Sequence, residues 1–244
     1  LALIRTQGIY WRMENSIFYQ LRENSGTIWN DYINHPFVKH LGDGTLAKES
    51  FKYYLIQDYL FLIQFGRAYA LAAYKSENLE EMRSAAAAMD TIINVEIQLH
   101  VEFCDGWGIP LDKLTKIPED LATTAYTRFV LDCGNRGDLL DLMTALAPCV
   151  IGYAEIGRKL ALIPTSDQEN PYNNWIKMYS GDDYQKASME ATNQLDILFK
   201  TRSSSARYSS LCSIFNQATR MEVKFWEMAW NHRDSEVINK LATP

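Results

Sequence analysis

Asp58, Cys149 and Glu222 are the residues of this 244-residue chain whose types and settings could do chemistry. Each falls on the apolar stripe of a helical segment. In GDGTLAKESFKYYLIQDYLFLIQF, residues 42–65, the stripe runs through Phe51, Tyr54, Leu55, Leu62 and Phe65. Asp58 lies on it, seven after Phe51 and four before Leu62. Cys149 shares a stripe with Leu142, Leu146, Tyr153, Ile156 and Leu160, and Glu222 lies between Met221 and Phe225 on a face with Ile214, Ala218 and Ala229. An amphipathic helix keeps carboxylates on its other face, and burying one without partners is costly. If the three helices meet, they enclose a polar pocket in a bundle core, where facing helices commonly build sites. A thiol there is a candidate nucleophile. A desolvated glutamate can exchange protons near neutral pH. An aspartate can hydrogen-bond the ring nitrogen and exocyclic amine of a heterocycle whose faces stack on aromatics. The implied chemistry is covalent attack on an electron-poor ring.

Each residue also has a plainer reading. A free cysteine is often a small buried hydrophobe, and a lone carboxylate on a stripe is often a satisfied core group. Three such residues on three long helices are harder to explain that way. Glu96 and His100, four apart on one helix with Glu102 nearby, suggest a metal or haem oxidase. The usual di-iron pattern is Glu-x-x-His repeated on a second helix, which this chain lacks, so no metal is expected. His35 precedes Pro36 at a turn, where it is expected to pack or cap. The acidic pairs Asp182-Asp183 and Glu80-Glu81 read as solvated faces. Met221 and Met228 read as core, and RSSSAR at 202–207 as a loop tip too lightly charged for a phosphate or RNA site.

The elements that must position these residues are helices. Strand signals are nearly absent. The 3.6-residue period predicts helices over about 11–33, 47–75, 77–105, 117–134, 137–163, 171–179, 181–202, 205–231 and 233–241. Breaks are expected at LGDG (41–44), GWGIP (106–110), CGNRGD (133–138) and IPTSDQENP (163–171). Ser76-Glu77-Asn78 and Asp138 are candidate N-caps. Pro148 cannot donate to the Thr144 carbonyl and is expected to kink its helix beside Cys149. No Gly/Ser linker or internal repeat divides the chain, so the expected fold is one all-α domain, a bundle of more than four helices.

Composition narrows the function. The chain is 47% apolar and 22% charged, with a net charge of −6, which speaks against a general nucleic-acid binder. No run of eighteen apolar residues predicts a membrane span. The four cysteines are scattered without zinc-ligand spacing, which fits free thiols in a cytoplasmic setting. The start lacks the pattern of a secretory signal and an initiator Met. A mature form or a domain cut from a longer chain is therefore expected.

A colinear set of motifs resembles the TenA family, the thiaminase II enzymes. HPFVKHLGDGTL (35–46) and FKYYLIQDYLFL (51–62) are followed by EIQLH (96–100) and TAYTRF (124–129). LAPCVIGYAEIG (146–157), NWIKMYSGDDY (174–184) and MEVKFWEMAW (221–230) complete it. The resemblance covers about residues 20–232 and implies one domain over 1–244, with the all-α fold shared with haem oxygenases. It further implies a homotetramer, no cofactor, and small-molecule partners only. The implied activity is hydrolysis of 4-amino-5-aminomethyl-2-methylpyrimidine to the 5-hydroxymethyl pyrimidine and ammonia. Many members also cleave thiamin to the same pyrimidine and the thiazole alcohol. By resemblance, Asp58 binds the pyrimidine nitrogen and amine, Cys149 is the nucleophile, and Glu222 handles the leaving group and water. Tyr126, Tyr153 and Tyr179 match pocket tyrosines. Phe61 departs from the pattern: it stands where many members have a tyrosine, so it keeps a stacking face and loses a hydroxyl. In fungi and plants such domains occur fused to pyrimidine kinases or phosphatases, which fits the missing Met and the residues before His35. The alternatives are a non-catalytic pyrimidine-binding protein, a helical interaction module, and a metal- or haem-dependent oxidase on the same fold.

Overall fold

The computed structural model describes residues 16–106, 109–163 and 170–232. These fold as helices α1 (Ile17–Ser25), α2 (Thr27–Ile33), α3 (Pro36–Gly42), α4 (Lys48–Lys75) and α5 (Leu79–Thr91). A π turn (Ile92–Glu96) leads into α6 (Ile97–Asp105). Then come α7 (Leu111–Leu114), α8 (Leu121–Arg136), α9 (Leu139–Leu160), α10 (Asn173–Ser180), α11 (Asp182–Arg202) and α12 (Ser205–Asn231). No strand occurs among the described residues, so the all-α expectation holds.

Local chemistry sets the ends. Asn78 accepts from the Glu81 amide at 2.9 Å and opens α5. Asp138 caps α9 in a reciprocal box with Asp141, satisfying amides that the helix leaves unpaired. His35 does cap: its Nδ1 accepts from the Phe37 amide at 3.1 Å and opens α3. That helix was not expected, because it is barely two turns long. The segment read as a single helix over 11–33 is broken at Gly26, whose φ of +55° a side chain rarely adopts. The residues before 16 and after 232 lie outside the described residues, as do parts of the loops at 106–110 and 163–171. The helix read over 233–241 therefore has no counterpart to compare. Within 77–105 the helix is continuous, but its middle is the π turn, which periodicity did not reveal.

The core is a four-helix group, α4, α8, α9 and α12, in which every helix touches the other three. The α4 helix is its spine: Tyr53 through Leu62 are all buried, so it is enclosed on every side rather than amphipathic. The α9 helix continues through Pro148. By length and composition alone α9 is apolar enough to cross a membrane, but most of it is buried inside the protein, as in a core helix. Gly157 on α9 permits the close approach of α10: a Cβ there would lie 2.5 Å from the Tyr179 carbonyl carbon.

Arginines fasten the far end. Arg202 donates to Glu81 at 2.6 Å, and Arg207 bridges Asp138 at 2.7 Å and Asp141 at 2.9 Å. Glu81 is thus an ion-pair partner and not simply part of a solvated face. Of RSSSAR, read as a loop tip, only Ser203 and Ser204 lie outside the helices; Arg202 ends α11, Arg207 lies in the first turn of α12, and both are held by carboxylates.

Candidate active site

Asp58, Cys149 and Glu222 do meet. They come from α4, α9 and α12, all inside the four-helix group, and Asp58 is 5% exposed and Glu222 1%. Asp58 is close enough that its charge raises the pKa of both other groups.

One wall holds the thiol. Cys149 and Glu222 lie close enough to shift each other's pKa, and Tyr126 on α8 donates to Glu222 Oε1 at 2.7 Å. Burial pushes the Glu222 carboxyl up to about 8, against the opposing pull of the Tyr126 hydrogen bond. Burial and then the Glu222 charge push the Cys149 thiol well above its ordinary value. At rest the wall is therefore a thiol beside a carboxyl group that is mostly protonated at neutral pH. No cation pairs with it among the described residues.

The other wall is built around Asp58. Tyr54, one turn earlier on α4, donates to its Oδ2 at 3.0 Å. His100 Nε2 lies 2.7 Å from the same oxygen, and His100 Nδ1 lies 2.8 Å from the Glu96 carbonyl oxygen. The Trp175 indole donates to the Tyr54 hydroxyl at 3.3 Å, and Tyr153 lies close enough to that hydroxyl to influence its pKa. Tyr153 thereby brings α9 to α4, where the two walls meet. Burial alone would lower the His100 pKa; hydrogen bonding to Asp58 and the Asp58 charge override it and leave it raised. Burial pushes the Glu96 carboxyl up to about 7.

Aromatic rings close the space. Phe61 lies with its ring centre 5.0 Å from Tyr126 and 5.5 Å from Phe225. Tyr153 packs 5.0 Å from Tyr179, 5.9 Å from Trp175 and 5.3 Å from Trp226. Trp226 is fully buried, and its indole N–H meets no acceptor among the described residues. All seven residues named from the sequence therefore belong to one connected cluster.

Sequence reasoning missed Tyr54, His100, Glu96 and Trp175. Tyr54 carried a signal, standing one turn before Asp58 on its stripe. His100 was weighed only as a metal ligand beside Glu96. The described residues contain no group of three or more His, Cys, Asp or Glu placed to hold a metal. Glu102 is exposed, and His100 is instead a buried partner of Asp58. Nothing in one sequence shows that residues 42 positions apart are in contact.

The chain resembles known proteins in sequence and in fold. The aminopyrimidine aminohydrolase of Halalkalibacterium halodurans is 38% identical over 213 residues, covering 87% of this chain and 95% of that protein. A putative hydroxymethylpyrimidine/phosphomethylpyrimidine kinase of Schizosaccharomyces pombe is 38% identical over 200 residues, covering 82% of this chain but 36% of the longer relative. A crystal structure described as a TenA family transcription regulator from Silicibacter sp. TM1040 superposes with a TM-score of 0.85 at 43% identity. It covers 90% of this chain and 98% of that one. The family model TENA/THI-4/PQQC matches residues 22–232, and the chain belongs to that family.

Proposed function

We propose that the chain is a hydrolase of thiamin metabolism that converts 4-amino-5-aminomethyl-2-methylpyrimidine and water to 4-amino-5-hydroxymethyl-2-methylpyrimidine and ammonia. It cleaves thiamin at the bridging methylene by the same route. The observation that carries this reading is the cluster of Cys149 and Glu222, with Tyr126 donating to Glu222, beside the buried Asp58 and a set of aromatic rings. The related aminohydrolase supports the substrate class.

Asp58 binds the aminopyrimidine edge, and Phe61, Tyr153 and Tyr179 pack on its faces. The Cys149 sulfur adds to an electron-poor ring carbon while its proton passes to the Glu222 carboxylate. Glu222 returns that proton to the leaving amine as the C–N bond at the methylene breaks; in thiamin the bond's electron pair passes to the thiazolium nitrogen, the neutral thiazole leaves without a proton, and Glu222 releases its proton to solvent. Water adds to the exposed methylene and gives a proton to Glu222, and the sulfur leaves as the ring regains its aromaticity. One proton moves in and out of Glu222 at each stage, which suits a carboxyl group with a pKa of about 8.

The reading includes a single domain, a homotetramer and a cytoplasmic setting. Exposed Tyr74, Leu121 and Leu162 are apolar surface that assembly would cover, and light scattering measures it. A nucleic-acid role has little support, since the net charge is −6.

The test is turnover of each substrate in separate reactions, with the hydroxymethyl pyrimidine followed by chromatography. Faster release from the aminomethyl pyrimidine is expected. Binding of the pyrimidine without product from either substrate overturns the hydrolase reading.

A further inference from the structure

We propose that His100 is a positioning residue, held as an imidazolium, that fixes Asp58 as a carboxylate and leaves Asp58 Oδ1 as the acceptor turned toward the ligand. The inference rests on the reading of Asp58 as the pyrimidine-binding group.

The hydrogen-bond inventory leads there. His100 Nδ1 faces the Glu96 backbone carbonyl at 2.8 Å. A carbonyl oxygen only accepts, so Nδ1 carries a proton. The Tyr54 oxygen receives the Trp175 indole N–H, and its own proton points to Asp58 Oδ2. The same Oδ2 lies 2.7 Å from His100 Nε2, the length of a charge-assisted bond. One proton is shared there, and an imidazole is intrinsically more basic than a carboxylate by about two to three pKa units. The proton therefore sits on Nε2, giving an ion pair with both ring nitrogens donating. Oδ2 is then committed to Tyr54 and His100. No described residue donates to Oδ1.

The backbone prepares this contact. The π turn at Ile92–Glu96 adds a residue to the helical period, which rotates the following residues by about 100° relative to α5. The outer α5 is exposed along most of its length, whereas His100 beyond the turn is 2% exposed. Such turns often mark functional places. The ionisable groups facing His100 are Asp58 and Tyr54 on α4 and Glu96 on the turn. Glu102 on its own helix faces outward.

Two variants separate charge from geometry. His100→Gln places an amide N–H where Nε2 was and keeps the bond without the charge. His100→Asn keeps only the bond to the Glu96 carbonyl. Nitrogen NMR of the intact wild-type protein, assigned by the signal lost in His100→Gln, reads the ring directly and needs no substrate. Two protonated ring nitrogens persisting above pH 7.5 are expected, and a neutral single tautomer at pH 7 overturns the proposal. In kinetics with the aminomethyl pyrimidine, His100→Asn is expected to raise KM about tenfold with a smaller change in kcat. His100→Gln, which keeps the bond and loses the charge, is expected to raise KM by a smaller factor than His100→Asn, again with little change in kcat. An unchanged KM in a folded His100→Gln overturns it, even if His100→Asn fails to fold. Binding of 4-amino-5-hydroxymethyl-2-methylpyrimidine, measured by calorimetry, separates the two readings: an inactive wild type that binds it sinks the hydrolase reading while the NMR result still decides this one.

Discussion

The two walls of the site use the same functional group in opposite ways. Asp58 and Glu222 are both buried carboxyls on central helices of one bundle. Asp58 has a histidine at 2.7 Å and a tyrosine donating to the same oxygen. Glu222 has a tyrosine, a thiol and, among the described residues, no cation, and burial carries its pKa to about 8. One carboxyl group is thus fixed for binding and the other is free to trade protons. Environment, not residue type, divides acid–base work from recognition.

The sharpest way to break this comparison is Cys149→Ser. Turnover is expected to fall by about a thousandfold or more, while folding and pyrimidine binding persist, because the hydroxyl is a far weaker nucleophile. Near-full activity would take the thiol out of the reaction and leave the second wall without a role. Glu222→Gln comes next, with an expected loss of about 100- to 1,000-fold. In the wild type the rate should climb with pH toward about 8, as Glu222 becomes the carboxylate that takes the thiol proton. That limb should vanish in the variant.

The same substitution sharpens the comparison through stability. The folded Glu222 keeps its proton to about pH 8 while the unfolded chain releases it near the ordinary value of 4.5. Its contribution is therefore full below pH 4.5 and is lost as pH rises to 8. Thermal melting should show Glu222→Gln gaining on the wild type from pH 5 to pH 8. A constant difference in Tm across that range would mean that Glu222 is not desolvated.

Gly157→Ala tests the seam between the walls. Its methyl would meet the Tyr179 backbone, so α10 must shift; a loss of about 1–3 kcal/mol in stability is expected, with a rise in KM. Denaturant melts and kinetics on the same preparation check both. The smallest effect belongs to Phe61→Tyr. Its ring sits against Tyr126 and Phe225, and a new hydroxyl is expected to change the ratio of thiamin to aminomethyl pyrimidine turnover several-fold, a polar contact being worth about 1 kcal/mol. Equal ratios in the two proteins would leave the hydroxyl without influence on substrate choice.

What the sequence revealed follows the range of the forces involved. Helix α4 was legible almost to the residue because its start and its apolar run are local features. Asp58, Cys149 and Glu222 could be picked out because each contradicts its own stripe. His100 was visible as a residue but not as a partner, since the contact with Asp58 spans 42 positions. The π turn escaped because a one-residue phase shift barely changes a periodic pattern. Helix α3 escaped because seven residues carry too little period to register.

Trp226 gives the molecule a built-in optical label. Its ring lies 4.8 Å from Phe37, 5.3 Å from Tyr54 and Tyr153, and 6.4 Å from Tyr32. Excitation absorbed by those tyrosines will pass to it at such short range. The indole is sealed from water and has no hydrogen-bond acceptor among the described residues, so its emission belongs at the blue end of the tryptophan range. Tyr54 packs directly against this fluorophore and holds Asp58. Occupation of the interior will therefore alter the light the protein emits, and ligand entry can be timed without adding a dye.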